Sequence, residues 1–216
     1  MKLDLYTFQH WDDLKMAFFK DGSYTPSWER SREHMLREDN GDPSWWDMAA
    51  PAYRWVMAEM KHAGMPCPNP DAAPLWAWVR WVDAHGRIRS RPDRRCWEFR
   101  GQDYDAFDLI HLRVDEHRVL LTDFDQYHSV LSKTLCAPIS ADEWSSEQIA
   151  DWFDSHWDDS IEKKRKQWHD NVIVQPSAMP ESWIQACLWS VVPEDVVDVR
   201  RSLLASHTRH KKNFYS

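Results

Sequence analysis

Glycine is scarce in this sequence, and its scarcity argues against several classes of nucleotide-binding and hydrolytic site. Only 5 of the 216 residues are glycine. The sequence contains no P-loop, no G-x-G-x-x-G fingerprint, no G-x-S-x-G elbow and no H-E-x-x-H zinc motif. P-loop kinases, dinucleotide-binding sheets and serine hydrolases are therefore disfavoured.

Paired cysteines and long apolar runs are missing as well. The 4 cysteines include no C-x-x-C pair, so no zinc signature is present and reduced thiols are expected. No apolar run reaches the roughly eighteen residues of a membrane span, and the N-terminal MKLDLYTFQHWDD lacks the apolar core of a signal peptide. We therefore expect a cytoplasmic protein that has no contact with a membrane.

Positive charge is in deficit, whereas tryptophan is abundant. The net charge of -8 argues against a protein that grips nucleic acid non-specifically, although it leaves room for a local basic groove. The 15 tryptophans indicate either an aromatic core or a pocket in which a base or sugar stacks. With 43% hydrophobic residues, the chain can bury a core as a single domain, residues 1–216.

The apolar periodicity predicts strands interspersed with helices. We therefore expect an α+β fold of small mixed or antiparallel sheets with segregated helices. A charged helical insert at about 27–42 and a helical segment at about 140–170 complete this organisation. Strands are predicted at 3–8, 75–82, 108–114, 119–122, 172–174 and within 182–199, and helices at 10–20, 27–39, 51–62, 124–133 and 140–157.

Asp123, Asp125 and His128 are the residues whose types best suit a metal site, with His111 and His117 on the preceding hairpin. Their D-x-D-x-x-H spacing matches no specific metal motif. The alternative is that Asp123 caps a helix whose exposed side carries the other two residues. No metal is expected.

Five arginines lie in the loop at 87–95, among them Arg91 and Arg94. Guanidinium groups bind phosphate through paired hydrogen bonds, so this loop could meet a nucleotide or nucleic acid. The alternative is a solvated loop whose arginines pair with acidic side chains.

Gln185 interrupts the apolar run SWIQACLWSVVPEDVVDV. Burying an unpaired primary amide costs about 1–3 kcal/mol, so this residue needs a reason to be there. Either it bonds the neighbouring backbone, or it is a functional group in a site.

Segments along nearly the whole chain resemble DUF3841, a family of bacterial domains without an assigned function. They are LYTFQHWDDL, AYRWVMAEM, PLWAWVRW, RPDRR, VLLTDFDQYHSVL and SWIQACLWSV. The layout is also similar, more distantly, to the ADP-ribosyltransferase fold. That fold opens with a strand and a glycine-terminated helix, continues with an aromatic-bearing strand, and ends with a strand that holds a catalytic Glu or Gln.

The layout similarity implies an enzyme that acts at the N-glycosidic bond of a nucleotide, either free, with NAD as a candidate substrate, or within nucleic acid. Trp76 and Trp78 of the strand over 75–82 would flank the base, and Arg91 and Arg94 would meet phosphate. The residues at the matching places are Gln185 and Thr7 as catalytic groups, with Gln9, Trp76, Trp78, Arg91 and Arg94 as nucleotide-binding groups.

Two departures from this layout open a second hypothesis. Thr7 stands where those enzymes usually have His or Arg, and Gln185 replaces the more common Glu, whose charge stabilises a cationic sugar. The chain could instead be a catalytically silent module that binds another protein, for instance in a bacteria–phage conflict system. The enzyme hypothesis requires the site residues to line one cleft, whereas a binding module needs an exposed apolar patch.

Overall fold

An antiparallel sheet of eight strands forms the centre of this computed structural model, which describes residues 1–94, 96, 99, 106–138 and 144–202. The strand order is β6-β5-β7-β2-β1-β4-β8, and β3 pairs with β2. The strands are β1 (Lys2–Gln9), β2 (Leu75–Val82), β3 (Ile88–Arg89), β4 (Asp108–Asp115), β5 (Leu120–Asp123), β6 (Ile173–Val174), β7 (Ile184–Leu188) and β8 (Val196–Arg200).

Six α-helices accompany the sheet in the described ranges, so the α+β prediction is confirmed. They are α1 (Trp11–Asp21), α2 (Trp28–Glu38), α3 (Ser44–His62), α4 (Phe124–Ser132), α5 (Ser146–His156) and α6 (Ile161–Val172).

The strand register divides the side chains between two faces of the sheet. Tyr6, Trp78 and Gln185 lie opposite one another across β1, β2 and β7, so they share one face, which we call the second face. Leu5 and Ala77 occupy the other, first face, where α1 completes an aliphatic core. This alternation decides which predicted site residues can meet.

Aromatic packing dominates the second face. One cluster there joins α3, α4 and α6 to the sheet through Trp55, Tyr127 and Trp168. A second cluster contains Trp78 and Trp81. Most of the tryptophans with described burial are core or partly buried residues, so the abundance of this residue type is chiefly a packing feature.

Two predicted helix starts differ from the observed ones. Helix α3 begins at Ser44 rather than at Pro51, because Trp46 and other residues before the proline pack into the core, and this burial outweighs the backbone hydrogen bond that Pro51 removes. Helix α5 begins at Ser146, after a capping box formed by Ser145 and Gln148. The start predicted at residue 140 lies outside the described residues.

Candidate functional site

A cleft of about 1150 Å³ lies at the end of the sheet where β1 finishes and β2 begins. Its floor consists of Phe8 and Gln9 from β1 and Leu75 and Trp76 from β2. Side chains of α1 and α2 form its walls, together with Tyr53 from α3. The cleft therefore brings together elements that lie on both faces of the sheet.

A short connection holds the two wall helices in place. Helix α1 ends at Gly22, whose φ of +73° is the left-handed conformation that glycine adopts without strain. The chain then forms isolated β-bridges from Tyr24 to Val191 and from Ser27 to Ala72. The Ser27 side chain also caps α2 by accepting a hydrogen bond from the Arg30 backbone N–H. These contacts fix the orientation of α2 over the cleft.

Gln9 and Tyr24 form a polar pair inside the cleft. The Tyr24 hydroxyl donates a hydrogen bond to the Gln9 side-chain oxygen at 3.4 Å. Burial raises the pKa of Tyr24, and the nearby Asp13 carboxylate adds to this effect. The hydroxyl therefore remains a neutral donor, and the pair offers amide and hydroxyl groups to a ligand.

Charged side chains of both signs line the cleft. The cationic ones are Lys20 on α1 and Arg30 and Arg37 on α2. The two arginines are seven residues apart, which is two helical turns, so they lie on one side of α2. The acidic ones are Asp13, Asp21, Glu33 and Asp71. A ligand with separate anionic and hydrogen-bonding parts would suit this mixture.

Phe107 and two imidazoles form an aromatic group at the cleft. The ring of Phe107 lies 4.5 Å from that of His10 and 6.3 Å from that of His34, measured between centroids. All three residues line the cleft. This group adds further aromatic surface to the cleft.

The structure brings two of the predicted site residues, Gln9 and Trp76, into this cleft. Thr7 lies on the first face and is 1% exposed, and its hydroxyl donates to the Trp76 carbonyl at 2.7 Å. Trp78 is buried in an aromatic cluster on the second face. Gln185 lies opposite Trp78 and is half-buried. Neither Thr7 nor Gln185 lines the cleft.

The two predicted phosphate-binding arginines lie apart from each other. Arg94 donates to the Phe107 carbonyl at 2.6 Å and stacks over Phe8, so it contacts two residues that line the cleft without lining it itself. Arg91 borders a separate groove of about 90 Å³.

The rest of the arginine loop follows the solvated-loop alternative. Arg87 and Arg89 each donate to the Asp83 carboxylate at 3.0 Å. Arg95 lies outside the described residues.

Asp123 caps α4, as the alternative to a metal site predicts. Its carboxylate accepts hydrogen bonds from the Gln126 backbone N–H at 3.0 Å and from the Ser182 hydroxyl at 2.7 Å. His128 Nδ1 lies 2.9 Å from the Phe124 carbonyl oxygen. Within the described ranges, no group of three or more His, Cys, Asp or Glu side chains could hold a metal ion.

Several cleft residues were not predicted from the sequence. They come from segments that were assigned to a helix terminus, a loop and a solvated insert: His10, Tyr24, Arg30, Arg37 and Phe107. The spacing of the two arginines is a usable signal, because it places two cations on one helix side. The position of Phe107 depends on the tertiary fold and has no comparable local signal.

A comparison with family models identifies the family. The model described as Domain of unknown function (DUF3841) matches residues 4–197. The chain belongs to this family. No curated protein and no solved structure matches it.

The DUF3841 match begins within β1 and ends within β8, so it includes most of the sheet and all residues that line the cleft. No α-helix in the described part of this DUF3841 protein is long and apolar enough to cross a membrane.

Proposed function

We propose that this DUF3841 protein binds a nucleotide, free or within nucleic acid, in the cleft and acts at its N-glycosidic bond. One observation carries the proposal: a single cleft combines the aromatic side chain of Trp76, the Gln9–Tyr24 pair and the arginines of α2. Base, sugar and phosphate each need one of these three kinds of partner.

The base would lie against the aromatic floor. Trp76 and Tyr53 pack with their ring centroids 5.5 Å apart, and Phe107 adds a further ring at the cleft. Stacking of a base on an aromatic side chain contributes about 1–3 kcal/mol and tolerates any base. The floor therefore supports binding without fixing which base is bound.

The sugar and the phosphates would contact the walls. The Gln9 amide and the Tyr24 hydroxyl can hydrogen-bond ribose hydroxyls, while Arg30 and Arg37 can bind phosphate oxygens. The volume of about 1150 Å³ exceeds the roughly 300–1,000 Å³ of sites for drug-sized ligands. A dinucleotide such as NAD is therefore a candidate substrate.

Cleavage of an N-glycosidic bond needs a negative charge near the sugar, because positive charge develops there in the transition state. Asp13 and Glu33 are carboxylates that line the cleft, and we assign the stabilising role to one of them. Gln185 and Thr7, for which catalytic roles were predicted, would not contact the ligand directly in this arrangement, and Thr7 would support the cleft floor. Thr7 does so through its hydrogen bond to the backbone of Trp76.

Calorimetric titration with NAD, ATP and short single-stranded DNA and RNA tests the proposal. We expect at least one of these ligands to bind, and the double variant Arg30→Ala/Arg37→Ala to bind it at least tenfold more weakly. Arg32→Ala is the matched control, since Arg32 is exposed on the same helix but does not line the cleft. Failure of every ligand to bind, or equal losses in both variants, would refute nucleotide binding.

Release of the base or of nicotinamide tests the chemical step. We expect Asp13→Asn or Glu33→Gln to slow release while binding persists. If the wild-type protein binds a nucleotide but releases no base or nicotinamide, the nucleotide-binding part of the proposal stands and the enzymatic part is refuted.

The protein-binding alternative has one observation in its favour. Phe19 and Met16 on α1 are 91% and 67% exposed, and Met16 also lines the cleft. Under this alternative no nucleotide binds. Substitution of both residues by serine would then abolish the capture of a protein partner, and the arginine variant would retain it.

A further inference from the structure

A small groove opens on the second face of the sheet, and it shares no described residue with the cleft. Its volume of about 90 Å³ holds about three water molecules, or one group of the size of a phosphate. The residues that line the small groove are Tyr6, Arg91, Leu109, His111, Asp198 and Arg200.

The pairing of β1, β4 and β8 brings most of these side chains onto one face. Tyr6 lies opposite His111, and His111 lies opposite Asp198. Leu109, two residues before His111 on β4, lies opposite Arg200 on β8. Side chains two residues apart on a strand point to the same side of a sheet, so all five lie on the second face.

Several contacts hold the small groove in shape. The rings of Tyr6 and His111 stack with their centroids 4.6 Å apart, and His111 Nε2 lies 2.8 Å from Asp4 Oδ1. The backbone of Arg91 is anchored to the sheet, because the indole N–H of Trp81 donates to its carbonyl at 3.0 Å. Trp81 is itself only 1% exposed. Such preorganisation lowers the cost of binding a ligand.

The two arginines of the small groove are available to a ligand. Arg91 forms no side-chain hydrogen bond or ion pair with the part of the chain that the structure describes. Arg200 Nε lies 3.6 Å from the Asp198 carboxylate, beyond the hydrogen-bond range of about 2.7–3.2 Å. By contrast, Arg89 and Arg113 each donate to a carboxylate at 3.0 Å. The guanidinium groups that line the groove are thus those without such a bond.

The charges of the small groove favour an anion. Two guanidinium groups and one carboxylate line it, in a chain whose net charge is -8. Burial raises the pKa of Tyr6 and the Asp4 carboxylate adds to this effect, whereas the positive charges of Arg91 and Arg200 oppose it. The Tyr6 hydroxyl is therefore a neutral donor at physiological pH, and it lies within the field of both guanidinium groups.

We propose that the small groove binds one phosphate group, as free phosphate or as the phosphate monoester of a larger molecule. Arg91 would donate to its oxygens from the loop after β3, Arg200 from β8 and the Tyr6 hydroxyl from β1. A phosphate monoester carries a charge of about −1.5 to −2 at pH 7, which two guanidinium groups match. The site is independent of the proposed nucleotide binding, because neither Arg30 nor Arg37 takes part in it.

NMR titration of the isotope-labelled protein with inorganic phosphate and with ribose 5-phosphate, at constant ionic strength, tests the proposal. We expect saturable shifts of the amide signals of β4 and β8. Arg91→Ala and Arg200→Ala should each weaken binding at least about fivefold, because each removes charge-assisted hydrogen bonds. Arg89→Ala is the matched control, since it removes the same charge from a residue that does not line the groove.

Asp198→Asn should have the opposite effect. Its carboxylate competes with the ligand for Arg200, so its neutralisation should tighten phosphate binding at least about twofold. Arg91, Asp198 and Arg200 are exposed, so we expect these variants to fold. A groove that only holds solvated ion pairs would show no such gain.

The outcomes separate this inference from the proposed function. Absence of saturable shifts in β4 and β8, equal losses in Arg89→Ala and Arg200→Ala, or weaker binding by Asp198→Asn overturns the phosphate site. Tighter binding of ribose 5-phosphate than of inorganic phosphate supports a phosphate monoester as the ligand, and equal affinity supports recognition of the phosphate alone. The variant Arg30→Ala/Arg37→Ala should leave the shifts of β4 and β8 unchanged, whatever it does to nucleotide binding in the cleft.

Discussion

At the scale of single residues, Asp195 is a buried acid whose hydrogen bonds hold the segment before β8 against Arg118. Its carboxylate accepts hydrogen bonds from Arg118 at 2.7 and 2.9 Å and from the Val192 backbone N–H at 2.9 Å. The Asp195 side chain is 7% exposed. Removal of this carboxylate would leave the partly buried Arg118 guanidinium with its hydrogen bond to the Ser190 carbonyl but without its charged partner. This loss is costlier than that of a surface ion pair.

We therefore expect Asp195→Ala to lower the free energy of unfolding by about 1.5–3 kcal/mol, the range for hydrogen bonds to charged groups. Urea denaturation measures the change. Asp198→Ala is the control, because Asp198 is exposed and its contact with Arg200 spans 3.6 Å. Its effect should stay within about 0.5 kcal/mol. Equal effects of the two substitutions would show that the Asp195 pair does not stabilise the fold.

A second prediction at this scale concerns Tyr53 at alkaline pH. Burial raises its pKa from 10.0 to about 12 in the folded protein, so the folded state keeps a proton that the unfolded state releases. This contribution to stability is fully present below pH 10 and is lost as the pH rises through 12. Tyr53→Phe should therefore show a shallower loss of stability between pH 10 and about 12, measured by urea denaturation at each pH. Parallel pH curves for the two proteins would contradict the assignment.

At the scale of elements, the cap of α4 connects helix, strand and loop. Asp123 ends β5, caps α4 and accepts a hydrogen bond from Ser182 before β7. Asp123→Ala should cost about 0.5–2 kcal/mol for the cap and somewhat more for the lost Ser182 contact. Thermal unfolding measures this cost.

Ser160→Ala is the reference, because the Ser160 side chain caps α6 through a hydrogen bond from the Lys163 backbone N–H. Its loss of stability measures the cost of removing a cap alone. We expect the Asp123 variant to lose more stability than the Ser160 variant. A smaller loss for Asp123 would mean that its second hydrogen bond adds nothing.

The elements were largely predictable because their signals are local. The strand over 75–82 matches β2, and the helix over 10–20 is α1 displaced by one residue. The face assignment was harder. Alternation places Thr7 and Gln9 on one side of β1, but only the pairing of β1 with β2 and of β2 with β7 shows that Gln185 faces the other side. The predicted site therefore contained residues from both faces of the sheet. Of these residues, the cleft contains only Gln9 and Trp76, which lie at the end of β1 and near the start of β2.

Segment 27–42 shows a second limit. Its charge predicted a solvated helix, and α2 is indeed a helix without buried residues. An exposed helix can nevertheless form the wall of a cleft, and Arg30 and Arg37 do so here. Composition indicates that a helix is solvated, but it does not indicate what lies across from its polar side.

At the scale of the whole molecule, the net charge of -8 sets what an anionic ligand experiences. The negative field of the whole protein repels phosphate, so the attraction has to come from the few cations in the cleft. The number of these cations limits how steeply the binding affinity can depend on salt concentration. Lys20, Arg30 and Arg37 line the cleft alongside four carboxylates. A broad electrostatic footprint, as in proteins that coat nucleic acid, is incompatible with this arrangement.

The salt dependence of binding to a short single strand is therefore the last prediction. Each phosphate contact on a single strand contributes a slope of about −0.7 in log affinity against log salt, so three contacts give about −2. The variant Arg30→Ala/Arg37→Ala should reduce the slope to about −0.7, while Arg32→Ala should leave it unchanged. Fluorescence anisotropy between 50 and 300 mM salt measures it. A wild-type slope near zero would show that no phosphate is contacted, and one steeper than about −4 would place the strand on a surface outside the cleft.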